Sequence, residues 1–352
     1  MKSDDLPPGI DRRTLVSSLA LLPALSTTLF SSPVQAQTTP NEPLPSWNEG
    51  PAKDVILDFV RATTDQGSSK FVPAEDRIAT FDQDGTLWVE HPIYTQVTYC
   101  LDRVSTLAAQ KPELKKIEPF KAVLSRDQEA MAKLSMHDLE TILAATLSGM
   151  PVEAFEAEVR KWLETAKHAR WKRLYNELTY QPMLELLQYL RDNGFKTYIV
   201  TGGGQDFVRV YSQRVYGVPR EQVVGTMGGT KFSYDKDGKP FLTKEPKLLL
   251  NNDKAGKPEG IHLMIGQRPY AAFGNSDGDR EMLEYTGAGD GARLMMLVLH
   301  DDANHEYAYG PARSLPDSKF GTFTAALDNE AKKKGWTVIS MKNDWKRVFA
   351  FE

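Results

Sequence analysis

The apolar positions of the chain change period several times, and each change predicts an element. Within "AKDVILDFVRATT" the apolar residues at 55, 56, 59 and 60 have the spacing of an amphipathic helix. Short, nearly continuous apolar runs then recur at Ile78–Phe81, Lys196–Val200, Gln222–Thr226, Tyr270–Gly274, Leu294–His300 and Trp336–Ser340. Such runs suit strands covered on both faces, as in a parallel sheet. Helix-period blocks such as "MLELLQYLRDNG" separate several of them. This alternation predicts an α/β fold, a parallel sheet joined by helical crossovers. "KFSYDKDGKPFLT" adds a hairpin turning at Asp237-Gly238.

From His91 to about Tyr180 the pattern is helical throughout, with "HDLETILAATLSGM" and "VEAFEAEVRKWLETAKHAR" as its clearest blocks. That length is too great for a structureless loop in a compact domain. The expected division is therefore an α/β core from residues 52–90 and 181–352, with a helical cap inserted at 91–180. A cap placed directly after the first strand lies near the carboxyl ends of the strands, where ligands bind in such sheets.

The N-terminal stretch is read differently. "DRRTLVSSLALLPALSTTLF" sets Arg12-Arg13 before a modest apolar run, and Val34-Gln35-Ala36 offers a small-residue cleavage site. The twin arginine resembles a Tat signal, with a Sec signal carrying a chance arginine pair as the alternative. Residues 1–36 are thus expected to be a cleaved export signal, with the export machinery as partner and a periplasmic or secreted destination. Pro23 and the serines and threonines around it suit a membrane span poorly, so no stable membrane insertion is expected. Residues 37–51, polar and Pro-rich, read as a linker. The 352-residue chain is 41% hydrophobic and 26% charged, which excludes wholesale disorder. A net charge of −4 gives no sign of a nucleic-acid binder, and the lone Cys100 allows no disulfide within a monomer.

Four clusters carry candidate chemistry, each just past a predicted strand or opening a predicted helix. Asp82-Gln83-Asp84-Gly85-Thr86 puts one carboxylate at a strand tip, able to attack an electrophile, and a second two residues on to manage a proton. Thr201-Gly202-Gly203-Gly204 offers a hydroxyl and backbone amides to phosphate oxygens. Gly256-Lys257-Pro258 brings a cation at a helix start, with Lys254 as a competitor. "AFGNSDGDREML" offers Asn275, Asp277 and Asp279 as oxygen ligands for a hard cation. Taken singly each has a plain reading as a turn, a loop or a solvated charge. An EF-hand is excluded, because Leu87 and Ile93 stand where its Gly and final Glu are required.

The order and spacing of the four resemble the haloacid dehalogenase-like (HAD) superfamily, through "FDQDGTLW", "YIVTGGG", "GKPEG" and "FGNSDGD". The phosphoserine-phosphatase-like branch, which also has a helical cap, is the most similar in pattern. The resemblance implies a Rossmann-like core and a Mg²⁺-dependent phosphatase acting on a small phosphorylated substrate. It makes Asp82 the nucleophile and Asp84 the acid and base, and has Thr201, Gly202 and Lys257 hold phosphate. The metal would be held by Asp82, Asp84, Asn275 and Asp279. Members commonly carry Asp where this chain has Asn275, so Asp279 is expected to bring the compensating charge. A dehalogenase on this fold would lack Asp84, whereas a phosphomutase, or a binding protein that has lost turnover, stays open as an alternative. Glu90, His91 and Arg126 are candidates for reading the substrate, or plain surface charges of the cap.

Overall fold

The computed structural model describes residues 42–352. The expected signal at 1–36 and the first part of the expected linker lie outside the described residues. Seven strands form one sheet: β1 (Ile78–Phe81), β2 (Lys196–Gly204), β3 (Val223–Tyr234), β4 (Pro240–Leu250), β5 (Ala271–Gly274), β6 (Leu294–Leu299) and β7 (Thr337–Ser340). Their order is β4-β3-β2-β1-β5-β6-β7, parallel except for the antiparallel β3–β4 pair. The chain therefore turns to one side of β1 to make β2 and later crosses to its other side to make β5. That reversal opens a crevice at the carboxyl end of β1.

Burial explains the strands. All four residues of β1 and of β5 are buried, as expected when both faces of a sheet are covered. Successive side chains enter opposite layers. Phe81, Phe273, Met296 and Val298 join the larger apolar cluster, whereas Ala272, Leu297 and Leu299 join Ile261, Met282 and Leu327 in the second. Phe81 and Phe273 stack across the β1–β5 pair with ring centroids 4.4 Å apart, directly beneath the site.

Helices at Thr95–Gln110, Phe120–Ser125, Gln128–Ala132, Met136–Thr146 and Val152–Leu163 fill the segment after β1. Among the described residues no helix is long and apolar enough to cross a membrane. One reading needs correcting. Residues 42–50 were expected to be a tether, but Leu44 and Trp47 are buried, and the Trp47 indole donates to the Pro182 carbonyl at 2.9 Å. Burying an indole with its N–H satisfied outweighs the turn-forming composition around it. β2 runs through Gly204, which pairs with Thr226, and the helix Gln205–Arg209 starts at the next residue, so the glycines after Thr201 open toward a helix as the sequence led one to expect.

The Phe81–Phe273 stack should be worth a large share of the stability of the sheet. Phe273→Ala is expected to cost about 3–5 kcal/mol. Urea unfolding of the variant should show a lowered midpoint, and an unchanged midpoint would remove the stack from the core.

Candidate active site

Three chain segments converge at the end of β1. Asp82 follows β1 directly, and its amide donates to the Phe273 carbonyl at 2.8 Å, which fixes the direction in which the strand tip leaves the sheet. Lys257 reaches in from the helix Gly256–Ile265, and Asp279 from the single turn that follows β5. The Lys257 ammonium donates to Asp82 Oδ1 at 2.5 Å, to Asp279 Oδ1 at 2.6 Å and to the Val200 carbonyl at 2.9 Å. Lys257 is 2% exposed, while its competitor Lys254 lies on the surface. Burial would lower the lysine pKa, but Asp279 and Asp82 together overcome it and hold the ammonium above its usual range. For Asp82, burial and then the charge of Asp279 push the carboxyl well up, with Lys257 opposing both.

Asp279 is fully buried and spends both oxygens on protein: Oδ1 on Lys257, Oδ2 on the amides of Asn275 and Ser276 at 2.9 and 3.0 Å. It was expected to carry charge to a metal; here it holds the lysine and the turn after β5. Asp277 faces the other way, accepting from Arg280, from the Thr324 hydroxyl at 2.9 Å and from the Thr324 amide at 3.2 Å.

Asp84 keeps part of its surface and accepts from the Trp88 indole at 2.7 Å. Burial pushes its pKa up to about 6, against the pull of that indole and of Lys257. A carboxyl that titrates near there can both give and take a proton close to neutrality. Thr201 is buried, and its hydroxyl accepts from the Gly203 amide at 2.9 Å. The Gly204 amide donates to Gln96 Oε1 at 2.7 Å, so the first turn of the helix Thr95–Gln110 touches the glycine run. Asn252, also buried, fixes this corner by donating to the Thr201 carbonyl at 2.9 Å.

Asn275 is 1% exposed; its Nδ2 donates to Glu90 Oε1 at 2.7 Å and its Oδ1 accepts from the Thr86 hydroxyl at 3.1 Å. Burial pushes the Glu90 carboxyl well up; the Tyr309 hydroxyl opposes and the charges of Asp84 and Asp82 add to the rise. His91 faces the chain after β6, with Nε2 2.8 Å from the Ser318 hydroxyl. Arg126 lies elsewhere among the helices after β1, lining a surface cavity of about 480 Å³ with Leu101, Asp102, Ser105, Val123 and Met131.

Several residues escaped sequence reasoning. His300 Nε2 contacts the Gly85 carbonyl at 2.7 Å, and its Nδ1 contacts Glu306 Oε2 at 3.0 Å. Its place at the end of the β6 run, where this sheet type collects its functional groups, was the available signal. Gln96 and Tyr309 carried none.

Residues 79–284, more than half of the chain and including all four clusters, match the family described as haloacid dehalogenase-like hydrolase. The chain belongs to that family. No curated protein matches the sequence. Among solved structures, a conserved protein of unknown function from Anaerococcus prevotii is 16% identical at a TM-score of 0.49, covering 71% of this chain and 86% of that one. A protein of unknown function from Bordetella pertussis is 16% identical at a TM-score of 0.44, covering 75% of this chain and 97% of its own. A phosphoserine phosphohydrolase-like protein from Francisella tularensis is 16% identical at 0.36, covering 64% and 88%.

The Trp88–Asp84 bond gives this HAD hydrolase a testable pH dependence. The indole stabilises the carboxylate and so lowers the Asp84 pKa. Removing the indole in Trp88→Phe should raise that pKa. If Asp84 must be protonated to donate, the alkaline limb of kcat/KM should then move to higher pH. A limb that stays in place, or moves down, would remove Asp84 as the donor.

Proposed function

We propose that this protein is a Mg²⁺-dependent phosphatase that hydrolyses a small phosphate monoester through an aspartyl-phosphate on Asp82. The observation that carries the reading is the buried Lys257 bridging Asp82 and Asp279, with Asp84 two residues beyond the nucleophile position. In this reading an Asp82 carboxylate oxygen forms a bond to phosphorus as the ester oxygen leaves, taking the proton of Asp84. Asp84, now ionised, takes a proton from water as that water attacks phosphorus. Inorganic phosphate leaves, and Asp82 and the protonated Asp84 are restored. Lys257 and the Thr201 corner, with the Gly202 amide, would hold the oxygens that do not react.

The oxygen chemistry at the β1 tip suits a hard cation. Asp82 has a second carboxylate oxygen beyond the one on Lys257, Asp84 offers its backbone carbonyl, and Asn275 Oδ1 has a lone pair beyond the one Thr86 uses. Among the described residues no three His, Cys, Asp or Glu side chains gather into a metal cluster. Mg²⁺ is commonly held through one or two carboxylates with waters and substrate phosphate, which this set can meet. When bound, the cation would offset the repulsion between a carboxylate and a phosphate dianion. Asp279 serves this reading through Lys257.

Release of phosphate from p-nitrophenyl phosphate tests the proposal. Activity should vanish with a chelator and return with Mg²⁺, and Asp82→Asn should abolish it while the thermal midpoint stays near that of the parent. Turnover that survives exhaustive metal removal, or persists in Asp82→Asn, would defeat the mechanism. We also infer export from Arg12-Arg13 and Val34-Gln35-Ala36. Cell fractionation should find a mature chain beginning near Gln37 outside the cytoplasm, and full-length chain only in the cytosol would defeat that inference.

A further inference from the structure

Asn275 stands where the resemblance led one to expect an acid, and the structure places an acid against it. Glu90 is 2% exposed, and its Oε1 accepts from Asn275 Nδ2 at 2.7 Å and from the Tyr309 hydroxyl at 2.6 Å. Both contacts are donated to the same oxygen, so that oxygen serves as an acceptor only. The amide is thereby fixed: Nδ2 is committed to Glu90, and Oδ1 accepts from Thr86.

The backbone is built around this pair. Gly85 has φ +76°, and a Cβ there would fall 2.2 Å from Asn275 Nδ2 and 2.4 Å from Glu90 Oε1. Gly321, from the distant segment before the last helices, has φ +60°, and a Cβ there would fall 1.6 Å from Glu90 Oε1. Two chain segments thus leave out a side chain where the Glu90 carboxyl sits. A lone buried acid would be costly without partners, and these partners are neutral donors.

We propose that Glu90 is a positioning residue that supplies, through Asn275, the acid that the fourth motif lacks at its first position. The proposal rests on the phosphatase reading for the identity of the cation. It accounts for an amide at position 275: an aspartate there would bring two carboxyl groups to within hydrogen-bond distance of each other, with no donor between them. The acid and the amide have changed places across one hydrogen bond. Exchanging them again should restore the same inventory of charge and donors.

The test is a cycle of Glu90→Gln, Asn275→Asp and the double variant in the full-length protein. Mg²⁺ affinity is read by calorimetric titration, and thermal midpoints are read without metal. Glu90→Gln is close to isosteric, should fold, and should weaken Mg²⁺ binding by about 10–100-fold, as loss of an outer-shell partner does. Asn275→Asp alone should lower the metal-free midpoint. The double variant should recover both the affinity lost in Glu90→Gln and the midpoint lost in Asn275→Asp. Unchanged Mg²⁺ affinity in Glu90→Gln, or a double variant no better than the two singles summed, would overturn the proposal. A parent protein that releases phosphate in a Mg²⁺-dependent way while the cycle shows no coupling defeats this inference alone. A parent that binds Mg²⁺ and obeys the cycle without releasing phosphate defeats the phosphatase reading alone.

Discussion

A single ammonium group ties the site together. Lys257 Nζ sits between the carboxylates of Asp82 and Asp279, with the Val200 carbonyl as third acceptor, and all of these atoms lie in the interior. Three charges taken out of water would be costly singly, and their geometry compensates only as a set. Removing one partner of such a set costs about 3–5 kcal/mol, because the others are left buried and unpaired. The constraint reaches far along the chain. It fixes the tip of β1, the start of the helix Gly256–Ile265, the turn after β5 and the end of β2 with respect to one another. The remaining site residues are placed by elements already fixed in this way.

The strands were legible because they are covered on both faces and so read as short apolar runs. β1 begins and ends where its pattern does, and β5, β6 and β7 differ from theirs by a residue at an end. What pairing alone decides was not legible. The hairpin arms flanking Asp237-Gly238 were legible and form the ends of β3 and β4 nearest the turn, but that β3 runs unbroken from Val223 to Tyr234, and that β2 continues through its glycines because Gly204 meets Thr226 across a shift in register, was not. The burial of Trp47 depends on Pro182 and on the edge of Trp345, both far away in sequence. Local composition carries no trace of such partners.

The site shows the same division. Asp82, Asp84, Lys257 and Asp279 could be picked out because each stands at a strand tip or helix start. Their roles toward one another depend on distances that spacing does not encode. The two acids of the fourth cluster are two residues apart and face opposite ways: Asp279 inward to Lys257, Asp277 outward to cap the helix Ala325–Lys334 through Thr324. Glu90 lies five residues past Gly85, whereas His300 reaches Gly85 and Tyr309 reaches Glu90 from more than two hundred residues away. A residue whose work is to hold another residue carries its signal in the fold.

Closure of the site has its own energetic logic. Asp82, Thr201 and Lys257 are 7%, 1% and 2% exposed, so in the phosphatase reading proposed above an entering phosphate group would need a neighbouring side chain to give way. The weakest tie there is Gln96, whose Oε1 takes the Gly204 amide at 2.7 Å from the first turn of the helix Thr95–Gln110. That tie is a hydrogen bond between neutral groups, worth about 0.5–1.5 kcal/mol net. The Lys257 bridge, made of charged groups, is far more expensive to break. The side of the site facing the helix Thr95–Gln110 is therefore held by the weaker kind of interaction and the Lys257 side by the stronger. An anionic oxygen that takes over the Gly204 amide would replace a neutral acceptor with a charged one, a stronger bond in the same place. In the phosphatase reading, opening at Gln96 would thus be offset by the group that enters, with the Asp82–Lys257–Asp279 set left intact.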